Sequence, residues 1–202
     1  PGPYPIPPNP PIEGGSDQHV LIIDRDHWKL FELFSAQQSV TGWDAGSGAI
    51  FDLNSDAHRP AGSPSADAAG LPIFPGLVRY DEVAEQGVIR HALRFTVAHP
   101  RRAYVSPATH SDGESYDTSL PPMGTRVRLK SSVDISGFPP HAQVILQALK
   151  TYGLMLADTG RNWFVSGTPD PRWNEDDLNS IRRITGRDFE VVKLGAVTQF
   201  PA

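Results

Sequence analysis

The chain of 202 residues contains no cysteine. That excludes a disulfide framework, a thiolate-bound zinc or iron–sulfur centre, and a cysteine nucleophile. No apolar run approaches the roughly 18–20 residues that a membrane-spanning helix requires. Positive charge is in the minority, with 18 Lys and Arg against 23 Asp and Glu and a formal net charge of −5. A nucleic-acid partner is therefore not expected, since such binders normally present a basic domain. Several catalytic signatures are also missing. There is no G-x-S-x-G elbow, no phosphate-binding GxxxxGK[ST], no GxGxxG opening a helix, no HExxH, no two-histidine cupin spacing and no E-x-D-x-x-E carboxylate strand.

Glycine and proline are what the chain has in excess, at 18 and 20 residues. Together they exceed the roughly 12% of ordinary usage and favour a turn-rich β protein. Seven of the prolines fall in the first twelve positions, ahead of Glu13-Gly14-Gly15. Residues 1–15 thus read as a polyproline-II arm or linker, and residues 16–202 as a single β-rich domain.

Within that domain, residues 19–24 and 28–34 form two apolar runs separated by Arg25-Asp26-His27, the pattern of a tight hairpin. A third strand is expected at 49–53, followed by a long loop of small and polar residues over 54–70. Strands are further expected at 90–97, 102–106, 125–130 and 189–194, with a hairpin formed by 154–158 and 163–166. Two helices are expected, at 140–152 with Gly153 as its stop and at 174–184 with Asn174 as its cap. Many short strands and two late helices predict a mainly β fold, an antiparallel β-sandwich or jelly-roll-like domain with two short helices in its C-terminal third. No βαβ alternation is apparent.

Four phrases stand out as a set: Gly15-Ser-Asp-Gln-His19-Val, Ser65-Ala-Asp-Ala-Ala-Gly-Leu-Pro72, Pro122-Met-Gly-Thr-Arg-Val-Arg-Leu-Lys130, and Ala148-Leu-Lys-Thr-Tyr-Gly153 followed by Ala157-Asp158. Over about residues 4 to 192 they resemble an uncharacterised family of apparently secreted bacterial proteins. The resemblance implies export and one domain; it implies no activity.

Polar groups inside apolar strands are the candidates for chemistry. Glu32 lies in phase with Trp28, Leu30 and Phe34, and Asp52 with Ile50. A carboxyl group on a desolvated strand face acquires the raised pKa that a general acid needs, unless it is simply paired or solvent-facing. His91 is in phase with Leu93, Phe95 and Val97, His19 with Leu21 and Ile23, and His110 closes the segment after Pro107. Such histidines serve as proton-transfer groups or, in the case of His91 and His110, as ligands to copper or zinc; the plainer reading is hydrogen-bonded core histidine. Trp43, Tyr80, Tyr104, Trp163 and Trp173 lie in or beside turns, where flat apolar faces stack on sugar rings or pack against the core. Arg94 belongs to a basic strand face that would grip acidic sugars or be merely solvated.

These residues lead to an exported, carbohydrate-active protein acting on a polysaccharide or oligosaccharide. As a hydrolase or lyase it would use Glu32 and Asp52 as its carboxylate pair, with His19, His91 or His110 as base or orienting group. The alternatives are a non-catalytic glycan-binding module, with Trp43, Tyr80, Tyr104 and Trp163 as platforms, and a His-ligated copper or zinc oxidative enzyme. Neither a cofactor nor a stable oligomer is required by the first two readings, and a monomer is expected.

Overall fold

A computed structural model describes residues 2–201. Strands account for 28% of the chain and helices for 16%, so the fold is mainly β, arranged as several antiparallel-rich sheets. No helix among the described residues is long and apolar enough to cross a membrane.

The first sheet has three strands, β1 (Val20–Asp24), β2 (Lys29–Phe34) and β5 (Ser47–Asp52), in the order β1-β2-β5 and all antiparallel. The expected hairpin is present, with Asp24 opposite Lys29. The register puts Leu21, Leu30, Glu32, Ala49 and Phe51 on one face, and Val20, Ile22, Leu33 and Ile50 on the other. Tyr4 and Ile6 of the proline-rich segment cover the second face, packing on Val20, Leu33 and Ala36. The first face meets Ala66 in the long loop that follows and Ile73 and Leu77 just beyond it. Two small strands, β3 (Gln37–Ser39) and β4 (Gly42–Asp44), form a separate hairpin between β2 and β5.

The main core surrounds a five-stranded sheet of order β11-β6-β10-β9-β12. Its members are β6 (Leu93–Val97), β9 (Arg126–Leu129), β10 (Leu154–Thr159), β11 (Phe164–Val165) and β12 (Phe189–Val191). Leu93, Phe95, Leu154, Leu156 and Val127 form one face, against which helix α1 (Pro140–Thr151) lays Ile145, Ala148 and Leu149. Pro140 occupies the first turn of α1, where a missing N–H is harmless. The chain leaves α1 through Gly153 in a left-handed conformation, φ 79°, and a Cβ there would sit 2.3 Å from the carbonyl oxygen of Val127. Gly153→Ala is expected to cost about 1–3 kcal/mol, from strain plus contact, read as a lowered urea midpoint with unchanged slope.

A third sheet, β13-β7-β8, contains β7 (Arg101–Val105), β8 (Pro122–Met123) and β13 (Val197–Gln199). Helix α2 is short, Glu175–Asn179, capped by the Asn174 side chain, and continues as a 3-10 turn over Ser180–Arg183.

The hairpin expected from 154–158 and 163–166 does not form. Both segments are strands, but β6 lies between them, parallel to β10 and antiparallel to β11. Because β6 is covered on both faces, all of Leu93 to Thr96 is buried. Of the two readings of Arg94, the merely solvated strand face is therefore ruled out. A parallel pair also exists where the sequence shows no βαβ alternation, since the connection from β6 to β10 passes through two further strands of another sheet, β9 and α1.

Candidate functional site

Arg94 is the centre of a buried polar cluster. It is 6% exposed, and its guanidinium grips Asp67 through two bonds, Nη2 to Oδ1 at 2.7 Å and Nε to Oδ2 at 3.3 Å. It also donates to Ser166 Oγ at 2.8 Å and to Asp158 Oδ2 at 3.5 Å. Asp67 comes from the long loop, whose flanking Ala66, Ala68 and Ala69 let the backbone approach the sheet closely enough for Ala69 N–H to reach the Ala157 carbonyl at 2.9 Å. Asp158 owes its position to a bulge in β10. Leu156 pairs with Phe95 but Asp158, not Ala157, pairs with Thr96. The extra residue turns Asp158 away from the Leu154–Leu156 face and onto the face of Arg94.

Burial raises the Asp158 pKa to about 8, with the neighbouring Asp67 charge pushing the same way and Arg94 opposing. Burial pushes Asp67 up as well, against the pull of Arg94. Both carboxyl groups thus favour the neutral form more than an ordinary aspartate does, beside a fixed positive charge.

Glu32 is fully buried on the body-facing side of the first sheet. Both its oxygens accept the Ile73 N–H at 2.9 Å and Oε1 also accepts the Phe74 N–H at 2.9 Å. Burial raises its pKa to about 7, the two backbone donors working against that. Glu32 therefore fastens the first sheet to the loop over the main core.

His19 lies on the same face, 6% exposed, with Nε2 2.9 Å from the Ala66 carbonyl and Nδ1 paired with Glu13. The Glu13–His19 loop closes on itself through Glu13 N–H to His19 C=O at 2.9 Å, a turn that Gly15 permits at φ 109°. The hydrogen bond from His19 holds the Glu13 pKa below the usual carboxylate range. Burial opposes charge on His19, but its bonds to Glu13 and Ala66 outweigh this and raise its pKa.

Four of these groups adjoin a cavity of about 1170 Å³. It passes the β11 edge of the five-stranded sheet. Glu13, His19, Arg94 and Ser166 line it together, and most of the other lining side chains are apolar, among them Phe74, Leu149, Trp163, Phe164, Leu178 and Ile181.

The other sequence candidates lie elsewhere. Asp52 is exposed, pairs with Lys29 at 2.7 Å, and is held below its usual pKa by that bond. It sits opposite Lys29 while Glu32 sits opposite Ala49, so the two carboxylates leave the sheet from opposite faces. They cannot flank one scissile bond. His91 bonds to Glu82 at 3.1 Å and to the Ala92 carbonyl at 2.9 Å, beside a single π-helical turn, Asp81–Glu85. His110 bonds to the Ala68 carbonyl at 2.8 Å and meets Phe200. The three histidines occupy three different environments, and among the described residues no three His, Asp or Glu side chains are grouped as metal ligands.

The aromatic candidates are engaged in packing. Trp163 stacks with Phe95 at 5.3 Å and with Phe189 at 4.9 Å, and Gly186 lies against its indole. Tyr80 is edge-packed by Trp173 at 4.9 Å and carries the Arg172 guanidinium 4.0 Å above its ring. Trp43 packs against the Val20 and Leu33 cluster, and Tyr104 meets Phe200. Trp163 and Trp173 both line the large cavity; Trp43, Tyr80 and Tyr104 do not.

Asp67, Asp158, Ser166 and Glu13 were not identified by strand phase. Asp67 and Asp158 do fall inside the phrases that carry the family resemblance. The visible signal for Asp67 is a lone acid in a run of small residues, Ser65-Ala-Asp-Ala-Ala-Gly70. No protein-family model, curated protein or solved structure matches this chain.

Proposed function

We propose that the protein binds an amphipathic glycoside in the cavity beside Arg94, its sugar end at Glu13, His19 and Ser166 and its apolar portion along the remaining wall. The observation that carries this reading is the composition of the lining, a polar cluster at Arg94 within a mainly apolar wall. Four polar groups meet around Arg94, and apolar side chains from β11, α1 and the α2 region supply most of the other lining, which also carries Thr168, Asp170, Glu175, Asn179, Arg182 and Thr185. Pockets for small ligands have this composition, a mainly apolar surface with a few convergent polar groups, and commonly occupy about 300–1,000 Å³. Glu13 keeps one carboxylate oxygen outside its bond to His19, and Ser166, which accepts from Arg94, keeps its own O–H, so an acceptor and a donor remain for neighbouring sugar hydroxyls while both His19 ring nitrogens are engaged. The apolar remainder suits an alkyl or aryl group better than a second sugar.

Carbohydrate recognition is thus retained from the sequence, but as binding. Cleavage by paired carboxyls needs two of them about 5–10 Å apart on either side of the bond, and Glu32 and Asp52 are on opposite faces. A polysaccharide laid across open aromatic platforms is also disfavoured, because Trp43, Tyr80 and Tyr104 are partly buried by their neighbours and Trp163, though 41% exposed, is already stacked on Phe95 and Phe189. Export is proposed on the family resemblance.

Trp163 and Trp173 report on the cavity directly. Titration with octyl glucoside below its micelle concentration is expected to change tryptophan emission and saturate, with octanol and free glucose each binding at least tenfold more weakly. Glu13→Gln should remove most of the advantage of the glycoside over octanol. Equal affinity for octanol and the glycoside would eliminate the sugar site, and no response to any of the three would eliminate the cavity as a binding site.

A further inference from the structure

We propose that the outer edge of β7 is a recognition groove for an extended peptide bearing an aromatic anchor residue, filled in this structure by the chain's own segment Val197–Pro201. The segment is attached the way a strand-adding peptide is attached, through main-chain pairing and a single anchor side chain. Val197 pairs with Val105, Thr198 with Tyr104 and Gln199 with Ala103, all antiparallel, and all three side chains of β13 are exposed. The anchor is Phe200. Its N–H donates to the Arg102 carbonyl at 3.2 Å, and its ring meets His110 at 4.4 Å and Tyr104 at 6.4 Å between centroids. One residue further, Arg102 donates through Nη2 and Nε to the Pro201 carbonyl, at 2.7 and 3.2 Å.

Everything that holds the segment belongs to β7 or to the His110 segment. Nothing in it contributes to the buried core clusters. The preceding Lys193–Ala196 stretch has no regular structure, and a Cβ on Gly195 would touch nothing. A strand with exposed side chains and one anchor has little buried apolar area to hold it, so it opens at a small fraction of the global unfolding free energy. Once it is gone, β7 keeps β8 on its other side and presents a free row of backbone donors and acceptors. The slot beside His110 selects the aromatic residue, and Arg102 fixes its register by taking the next main-chain carbonyl. The chain's own segment is thereby a competitor in cis for a peptide of the same kind carried by another protein.

Phe200 marks a hydrogen-bonded position, so by antiparallel alternation Thr198 is the next one. Thr198→Pro removes its donor and weakens cis pairing while leaving Phe200 in place. The probe is a fluorescein-labelled peptide of sequence GAVTQFP, read by anisotropy against the full chain. The Thr198→Pro protein is expected to bind it in the tens of micromolar, at least tenfold more tightly than the unaltered protein, and to ignore the same peptide with Phe replaced by Ala. A folded Thr198→Pro protein that fails to bind the probe overturns the proposal.

A second variant guards against misfolding. Because the chain has no cysteine, Ala103→Cys with Gln199→Cys places one pair of thiols at directly opposed, non-hydrogen-bonded positions, where a disulfide can close. The oxidised form should be blind to the probe and the reduced form should bind it. Equal binding in both redox states overturns the groove. Dimerisation of the reduced form in competition with the probe would assign the groove to a second copy and overturn a separate partner.

Discussion

Arg94→Met is expected to destabilise the protein by about 3–5 kcal/mol, the range for removing one partner of a buried ion pair. Most of that loss comes from what remains behind. Asp67 has no exposed side-chain surface, and its two oxygens are both directed at Arg94. Without the guanidinium it must either carry an uncompensated buried charge or take up a proton. Asp158 and Ser166 lose a donor at the same time. For a chain of this length the fall should appear as a melting temperature lower by on the order of 10 °C. The companion change Asp67→Leu in the Arg94→Met background should recover much of the loss, since replacing both partners removes the orphaned charge. A single substitution that lowers the melting temperature by less than 2 °C would show that Arg94 is not holding the long loop to the sheet.

Stability should be greatest near pH 5 and should fall as pH rises toward 8. Glu32 is the main reason. Its folded pKa is about 7 against an ordinary 4.5. Below the ordinary value both folded and unfolded states are protonated and Glu32 is neutral with respect to pH. Between 4.5 and 7 the unfolded chain releases the proton while the folded protein keeps it, so stability is lost as pH increases. Above 7 the loss is complete. The size follows from the shift, about 1.4 kcal/mol per pKa unit and so on the order of 3 kcal/mol over this window. Asp158, raised to about 8 and coupled to Asp67, carries the same sign to higher pH. His19 adds to the trend, because its raised pKa confers stability at low pH that is lost as it deprotonates. Glu32→Gln should flatten the profile between pH 4.5 and 7 while keeping one acceptor for the Ile73 and Phe74 amides. A melting temperature that rises from pH 5 to pH 8 would contradict the burial of an uncompensated carboxyl at this position.

Both expectations concern groups whose importance comes from register and contact rather than from local pattern. Phase within β2 correctly marks Glu32 as sharing a face with Leu30, and phase within β5 correctly groups Asp52 with Ile50. Relating the two strands needs their register, and the observed pairing of Lys29 with Asp52 puts the carboxylates on opposite sides. The same limit applies to the segments 154–158 and 163–166. Each has strand character in isolation, and their short separation suggests a hairpin, yet β6 pairs with both and keeps them apart. Arg94 illustrates the converse limit: alternation leaves a solvated face open to it, because the residues that cover that face lie in the loop around Asp67.

What the sequence determined by itself is local. The β1–β2 hairpin follows from two apolar runs around a short turn, Arg25–Trp28 in the structure, α1 follows from its apolar stripe between Pro140 and Gly153, and the start of α2 follows from the Asn174 cap. Backbone conformation, turn chemistry and periodicity are short-range properties, and composition alone excluded every thiol-based site. Tertiary structure decided the rest. It inserted β6 between two segments that neighbour each other in sequence, and it used one extra residue in β10 to turn Asp158 toward Arg94. It also brought Asp67 from the long loop, and Glu13 and His19 from the N-terminal region, around one buried guanidinium. Electrostatics and burial act between residues tens of positions apart, so those choices depend on the packed chain and have no signature in any one stretch of it.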